Sequence, residues 1–311
     1  MIKQEGTMLL PWLTEPTASF CHQLMTGQQG HAYLLGIHQG YGGMELAQTL
    51  GKAALCTATT TTGGCGVCKS CQLFAAGNHP DFYNLEADGN QIKVDQVREL
   101  CQKLTATAQQ GGMRVAVLKN CERLNTAAAN ALLKTLEEPG KQTLLLLQSD
   151  TPSRLMATIS SRCQRLHCQL PSRQAVQTWL NEQFSLERDV TWCLPVVGGP
   201  VDLLSALKDE RYETLVSLRK AWIQSLSSGH LCANLTNINE KQVSDALKVL
   251  YVVLRQKLVK QKNADALINI KITKFAAEVM ETYHSLSMMP NVNFMAVFQA
   301  FILEYQSLTT S

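Results

Sequence analysis

Short apolar runs recur along the first 170 residues with helical spacing between them, and this alternation restricts the fold more than any other feature of the sequence. Residues 31–35 form one such run, which ends in the glycine-rich Gly36-Ile37-His38-Gln39-Gly40-Tyr41-Gly42-Gly43 and passes into a helical pattern through Leu46, Leu50 and Ala54. Residues 82–85, 115–118 and 144–147 read as further strands, and residues 94–104 and 126–136 as helices. Runs that are apolar throughout suit parallel strands covered on both faces. The pattern therefore predicts a doubly wound α/β domain over residues 1–170.

After Pro171 the β-type runs largely stop. Residues 171–206 read as a small helical lid, broken by Pro195 and Gly198-Gly199-Pro200. From residue 207 to 311 helical spacing dominates. Phe294, Val297, Phe298, Phe301, Ile302 and Tyr305 fall on one face, and Leu247, Leu250, Tyr251, Leu254 and Leu258 repeat the stripe, as expected of a helix bundle. The polar stretch 227–239 is expected to be a loop. A chain of 311 residues exceeds what one core usually serves, and 45% apolar against 17% charged residues gives enough side chain for more than one.

The net charge of +3 is too small to act as a footprint for nucleic acid. The start, Met1-Ile2-Lys3-Gln4-Glu5 and then a short apolar stretch up to Pro11, lacks the pattern of a signal peptide, and no run is long enough for a membrane helix. The expectation is a cytoplasmic protein without membrane contact. Of eleven cysteines, seven are scattered singly, as reduced core thiols are. The other four, Cys56, Cys65, Cys68 and Cys71, form C-x8-C-x2-C-x2-C with Gly63, Gly64 and Gly66 among them. Four thiolates at this spacing suit one structural, tetrahedral zinc ion stapling an insertion over about residues 56–71. A redox pair and simple burial are the rival readings.

A working phosphate loop is G-x-x-x-x-G-K-[ST], in which backbone amides cradle phosphates, lysine meets the outer ones and the hydroxyl binds magnesium. Ending the loop at Gly42 puts Ile37 at the first glycine position and Gly43 and Met44 at the lysine and hydroxyl positions. By itself the stretch Gly36, Gly40, Gly42, Gly43 also fits a plain strand-to-helix turn. The acidic pair expected at the end of the third strand is replaced by Lys119 and Asn120. Neither residue can ligate magnesium or activate water in that role, so no ATP is expected in the chain's own site.

Asn130-Ala131-Leu132-Leu133-Lys134-Thr135-Leu136-Glu137-Glu138-Pro139, followed by Ser161-Arg162-Cys163, resembles the bacterial DNA polymerase III clamp-loader subunits, a family of AAA+ ATPases. The resemblance takes in His31-Ala32-Tyr33-Leu34, the cysteine cluster and His79-Pro80-Asp81, in the same order over residues 20–170. Beyond that it is a helical lid and collar, with residues 291–302 the most suggestive. It implies an AAA+ domain with a zinc module, a lid over 171–206 and a collar over 207–311. Departures from the motor pattern at Ile37, Gly43, Met44, Lys119, Asn120 and Asp202 make the chain similar to the delta-prime branch rather than to the motor subunits gamma and tau.

The resemblance also implies that Arg162 reaches the ATP of a neighbouring subunit, with Arg165 as a companion or a bystander. It implies partnership with gamma or tau and delta, contact with the sliding clamp and primer-template DNA through the complex, and a place in the polymerase holoenzyme without intrinsic ATPase activity. An ATP-hydrolysing motor subunit and a zinc-dependent DNA-binding module are the rival functions. His79-Pro80-Asp81 otherwise reads as a turn, Glu137-Glu138-Pro139 as a solvated helix end, and Trp12, Trp179, Trp192 and Trp222 as too dispersed for a base-stacking platform.

Overall fold

The computed structural model describes residues 10–209, 211–260, 266–286 and 293–309, in two compact units divided between Ser172 and Arg173. Residues 1–5, and positions 291–292 of the collar-like stretch, lie outside the described residues.

The first unit is built on one sheet of five parallel strands. These are β1 Ala32–Leu35, β2 Phe82–Leu85, β3 Arg114–Leu118, β4 Thr143–Gln148 and β5 Gln164–Leu166, in the order β2-β3-β4-β1-β5. Its helices are α1 Thr14–Met25, α2 Gly43–Leu55, α3 Lys69–Ala75, α4 Val94–Thr105, α5 Thr126–Glu137 and α6 Ala157–Ser160. Every residue of β1, β3 and β4 is buried, as the continuous apolar runs predict.

Alternation along the strands assigns the two faces. Ala32, Leu34, Ala116, Leu118, Leu145 and Leu147 share a core with Val97, Leu100 and Leu104 of α4 and Leu132 and Leu136 of α5. Tyr33 points the other way and meets Phe20 of α1 edge-on, with centroids 5.0 Å apart. On α5, the Asn125 side chain caps the start by accepting the Ala128 N–H at 2.8 Å. Pro139 disfavours helix at the residue before it, and α5 ends at Glu137.

Besides the four-residue α6, three elements of the first unit were not legible in the sequence pattern. β5 is three residues long with two of them exposed, so it presents no apolar run. α1 and α3 lie in stretches that carry no clear helical stripe.

The second unit is helical, with no strand among its described residues: α7 Arg173–Asn181, α8 Leu194–Val197, α9 Pro200–Lys208, α10 Arg211–Ser228, α11 Ala233–Thr236, α12 Glu240–Lys260, α13 Ala266–Leu286 and α14 Phe294–Thr309. Pro195 and Pro200 stand in the first turns of α8 and α9, where a missing N–H costs no helical bond. They open helices as well as closing the chain before them, and α9 runs through the expected boundary at 206/207. The expected loop at 227–239 contains α11, anchored by buried Leu235. Leu247, Leu250 and Leu254 on α12 and Phe298, Phe301, Ile302 and Tyr305 on α14 are buried, as their stripes predict. Trp222 of α10 is fully buried, donates its Nε1–H to the Ala246 carbonyl at 2.8 Å and meets the Phe298 ring at 5.0 Å. Among the described residues no helix is long and apolar enough to cross a membrane.

Candidate functional site

Loops leaving the carboxyl ends of parallel strands share one rim of the sheet, where ligands of such folds bind. Register pairs Leu35 with Gln148 and Leu118 with Leu147, so the loops after β1, β3 and β4 stand side by side. The first is the glycine-rich stretch. It is tightened into a 3-10 turn over Gln39–Tyr41, begun by His38, whose Nδ1 accepts the Gly40 N–H at 3.0 Å. Gly42 closes it with φ 91°, a conformation that favours glycine.

That loop is packed over by the segment leading into α1. Trp12 donates its indole N–H to the Tyr41 carbonyl at 2.8 Å. A Cβ at Gly42 would fall 2.3 Å from Leu10 Cδ1, and one at Gly43 would fall 2.4 Å from the Ile37 carbonyl oxygen. The position a lysine occupies in a working loop therefore has no room for the first carbon of its side chain. Gly36, Gly40 and Met44 complete a compact strand-to-helix connection.

A carboxylate of the chain itself meets the loop. Asp150, just beyond β4, accepts the Gln39 N–H at 2.9 Å and the Gln148 Nε2–H at 2.7 Å through Oδ1, while Oδ2 lies 3.5 Å from His38 Nε2. Gln148 also donates to the Ile37 carbonyl at 3.0 Å. A loop amide that would be available to an anion is thus already engaged. At the end of β3, Lys119 lies 3.5 Å from Glu86. Asn120 is buried with φ 49°, its N–H donates to Gln148 Oε1 at 3.0 Å, and its Oδ1 accepts from Gln39 Nε2 at 2.7 Å. Asn120 is committed to holding the rim together, while Lys119 makes a surface ion pair.

The second feature is the sulfur cluster. The Sγ atoms of Cys56, Cys65, Cys68 and Cys71 all lie within 4.8 Å of one another, with Cys56 and Cys68 at 3.8 Å. Zinc–sulfur bonds of ~2.3 Å in a tetrahedron require sulfurs about 3.8 Å apart. Each C-x2-C turn is tightened by an amide on sulfur, Cys68 N–H to Cys65 and Cys71 N–H to Cys68. The Thr57 amide, and then the Cys71 amide, pull the Cys68 thiol down to about 5, and the Val67 and Cys68 amides lower that of Cys65. Burial pushes Cys71 up to about 12. The donor set fits a metal ion, and the four cysteines can hold one.

The third feature is Arg162, in the turn between α6 and β5. One Nη donates to the Thr158 carbonyl at 2.8 Å and the other lies 2.7 Å from Glu137 Oε1, with the arginine side chain 37% exposed. The helix end at Glu137 is solvated as expected, yet its carboxylate has a partner the sequence did not reveal. Arg165 is exposed on β5, the edge strand. His79-Pro80-Asp81 is a turn, as read, and buried Asp81 accepts the N–H groups of Gln109 and Gln110 at 2.8 and 2.9 Å.

The family model described as "DNA polymerase III, delta subunit" matches residues 13–172. The DNA polymerase III subunit delta' of Escherichia coli (strain K12) is 32% identical over 273 residues, which cover 86% of this chain and 82% of that one. The chain belongs to the DNA polymerase III delta' family. Another member, from Pseudomonas aeruginosa, is 48% identical over 155 residues, 49% of this chain and 47% of its own. Among solved structures, a DNA polymerase III gamma subunit-related protein from Thermotoga maritima superposes with a TM-score of 0.52 at 15% identity, covering 94% of this chain and 99% of that one. The fold is a five-stranded parallel-sheet α/β domain followed by a helical region.

Sequence reasoning missed Leu10, Trp12, Gln148 and Asp150 as delta' residues that shape the rim, because each acts on a loop distant in the chain. The one available signal was Asp150, an acid just after an apolar strand.

Proposed function

We propose that this clamp-loader delta' subunit is a non-hydrolysing stator that supplies Arg162 in trans to ATP held by a neighbouring motor subunit. One observation carries the reading: the loop that should hold phosphate is engaged by the chain's own Asp150 and has no space at Gly43, while Arg162 stays partly exposed on a surface turn. A guanidinium has five donors in a planar fork and keeps its charge, so it can neutralise charge on a transferred phosphoryl group. Gly36, Gly40, Gly42, Gly43 and Met44, with Lys119 and Asn120, then form a scaffold rather than a catalytic site.

In this reading Cys56, Cys65, Cys68 and Cys71 hold a structural zinc ion, which closes the insertion and leaves no open coordination position. The partners are gamma or tau and delta, with the sliding clamp and primer-template DNA reached through the assembled complex in the cytoplasm. The helical unit supplies a lid and a collar for assembly. Reconstitution tests the reading: a complex carrying Arg162→Ala should assemble normally and lose ATPase and clamp-loading activity. Full activity in that complex would reject the trans role.

A further inference from the structure

The helical unit contains a cleft of about 700 Å3 that none of the features above uses. Arg173 at the start of α7, Arg219 on α10 and Arg255 on α12 line it, together with Trp192 and Gln256. One acid, Asp189, also lines it. That carboxylate is turned to its own backbone, with Oδ1 accepting the Thr191 N–H at 2.8 Å and the Thr191 hydroxyl at 2.6 Å.

Arg219 is the fixed point. Its guanidinium lies over the Trp192 ring, 4.6 Å from the centroid, and an Nη donates to Gln256 Oε1 at 2.8 Å. Its Nε is buried with no hydrogen-bond partner. Among the described residues none of the three arginines meets a carboxylate. Arg173 and Arg255, exposed in the cleft lining, therefore suit an acceptor that the chain does not itself supply.

We propose that this cleft binds a small polyphosphate, either inorganic or as the tail of a nucleotide. Arginines from three helices line one space, and the exposed Arg173 and Arg255 can each present a bidentate fork to phosphate oxygens, with Arg219 adding charge at the wall. A single carboxylate would leave most of that positive charge unmatched, whereas a di- or triphosphate concentrates enough negative charge to meet it. The volume lies within the range of roughly 300–1,000 Å3 usual for small-ligand sites. Arg219 covers one face of Trp192, so the site offers no stacking platform there and the phosphates, not a base, carry the recognition.

Calorimetric titration of the full chain tests this with three probes: inorganic triphosphate, ATP and a short oligothymidylate. Triphosphate and ATP should bind with dissociation constants that agree within about threefold, and Arg255→Ala and Arg173→Ala should each weaken both by about tenfold or more. Arg219→Gln should do the same, and the two exposed arginines keep the test valid if that variant folds poorly. The proposal fails if triphosphate does not bind or if Arg255→Ala and Arg173→Ala leave binding unchanged. It also fails if ATP binds while triphosphate does not, or if the oligonucleotide binds more tightly than triphosphate.

Discussion

Arg162 and Glu137 meet at 2.7 Å, joining the surface turn after α6 to the last residue of α5. If the guanidinium serves a neighbour's ATP, this contact is its resting partner and competes with the trans role. Arg162→Ala should lower turnover at the affected interface by on the order of 10³-fold or more. Glu137→Gln should raise it by at most about fivefold, since half-exposed ion pairs contribute about 0.2–1 kcal/mol. Single-turnover ATPase measurements on the reconstituted complex would register both, and a loss of activity in Glu137→Gln would show that the contact supports the arginine instead of competing with it.

Restoring the missing side chains should not restore the chemistry. Gly43→Lys with Met44→Thr rebuilds the motif in letters, but the Ile37 carbonyl stands where the new Cβ must go. Forcing side chain into a packed position costs about 1–3 kcal/mol. The double variant should melt lower and gain no ATP-dependent rise in melting temperature. Such a rise, present in the double variant and absent from Met44→Thr alone, would contradict the geometry.

Metal content gives an independent check on the sulfur cluster. Purified chain should carry one zinc ion, and Cys68→Ser or Cys71→Ser should remove it and expose residues 56–71 to limited proteolysis, because metal affinity and local folding are linked. Wild-type protein stripped by chelator should show the same new cleavage sites. Unchanged cleavage in both would separate the cluster from any structural role.

His79 sets one segment of the stability profile. Burial lowers its pKa below the ordinary 6.5, against the opposing Asp81 carboxylate, and its Nε2 is buried without a hydrogen-bond partner. The unfolded chain then binds more protons than the folded one as pH falls below about 6.5, so stability is full above that value and declines toward the lower folded pKa. His79→Asn keeps a side-chain acceptor for the Asp81 N–H, now met at 3.2 Å, and removes the titration. Urea midpoints at successive pH values between about 7.5 and 5 should fall more steeply for the wild type than for the variant. Parallel curves would remove His79 from the account.

Four strands of the sheet were legible in the sequence, three of them fully buried and β2 only at Leu85. β1, residues 115–118 of β3 and residues 144–147 of β4 are apolar because both faces are covered, and the four expected strands all form. β5 escaped because an edge strand of three residues with exposed Gln164 and Arg165 leaves no periodic trace. Within the rim, the missing lysine and acids could be read directly, since an absent side chain needs no geometry. What replaces them could not: Asp150 reaches Gln39 across 111 positions, and the Leu10 methyl meets Gly42 through the entry into α1. The cysteine spacing was informative because local turns alone bring those sulfurs together.

The Asp150 contact bears on the proposed stator role. The carboxylate is tethered to the loop it engages, so a free phosphate must compete with a partner at high effective concentration that cannot diffuse away. The Gln39 amide is consequently engaged without any ligand present. If the subunit is the stator proposed above, this loop would carry no record of whether ATP has bound, been cleaved or left, and the state of the cycle would reach the subunit through its neighbours.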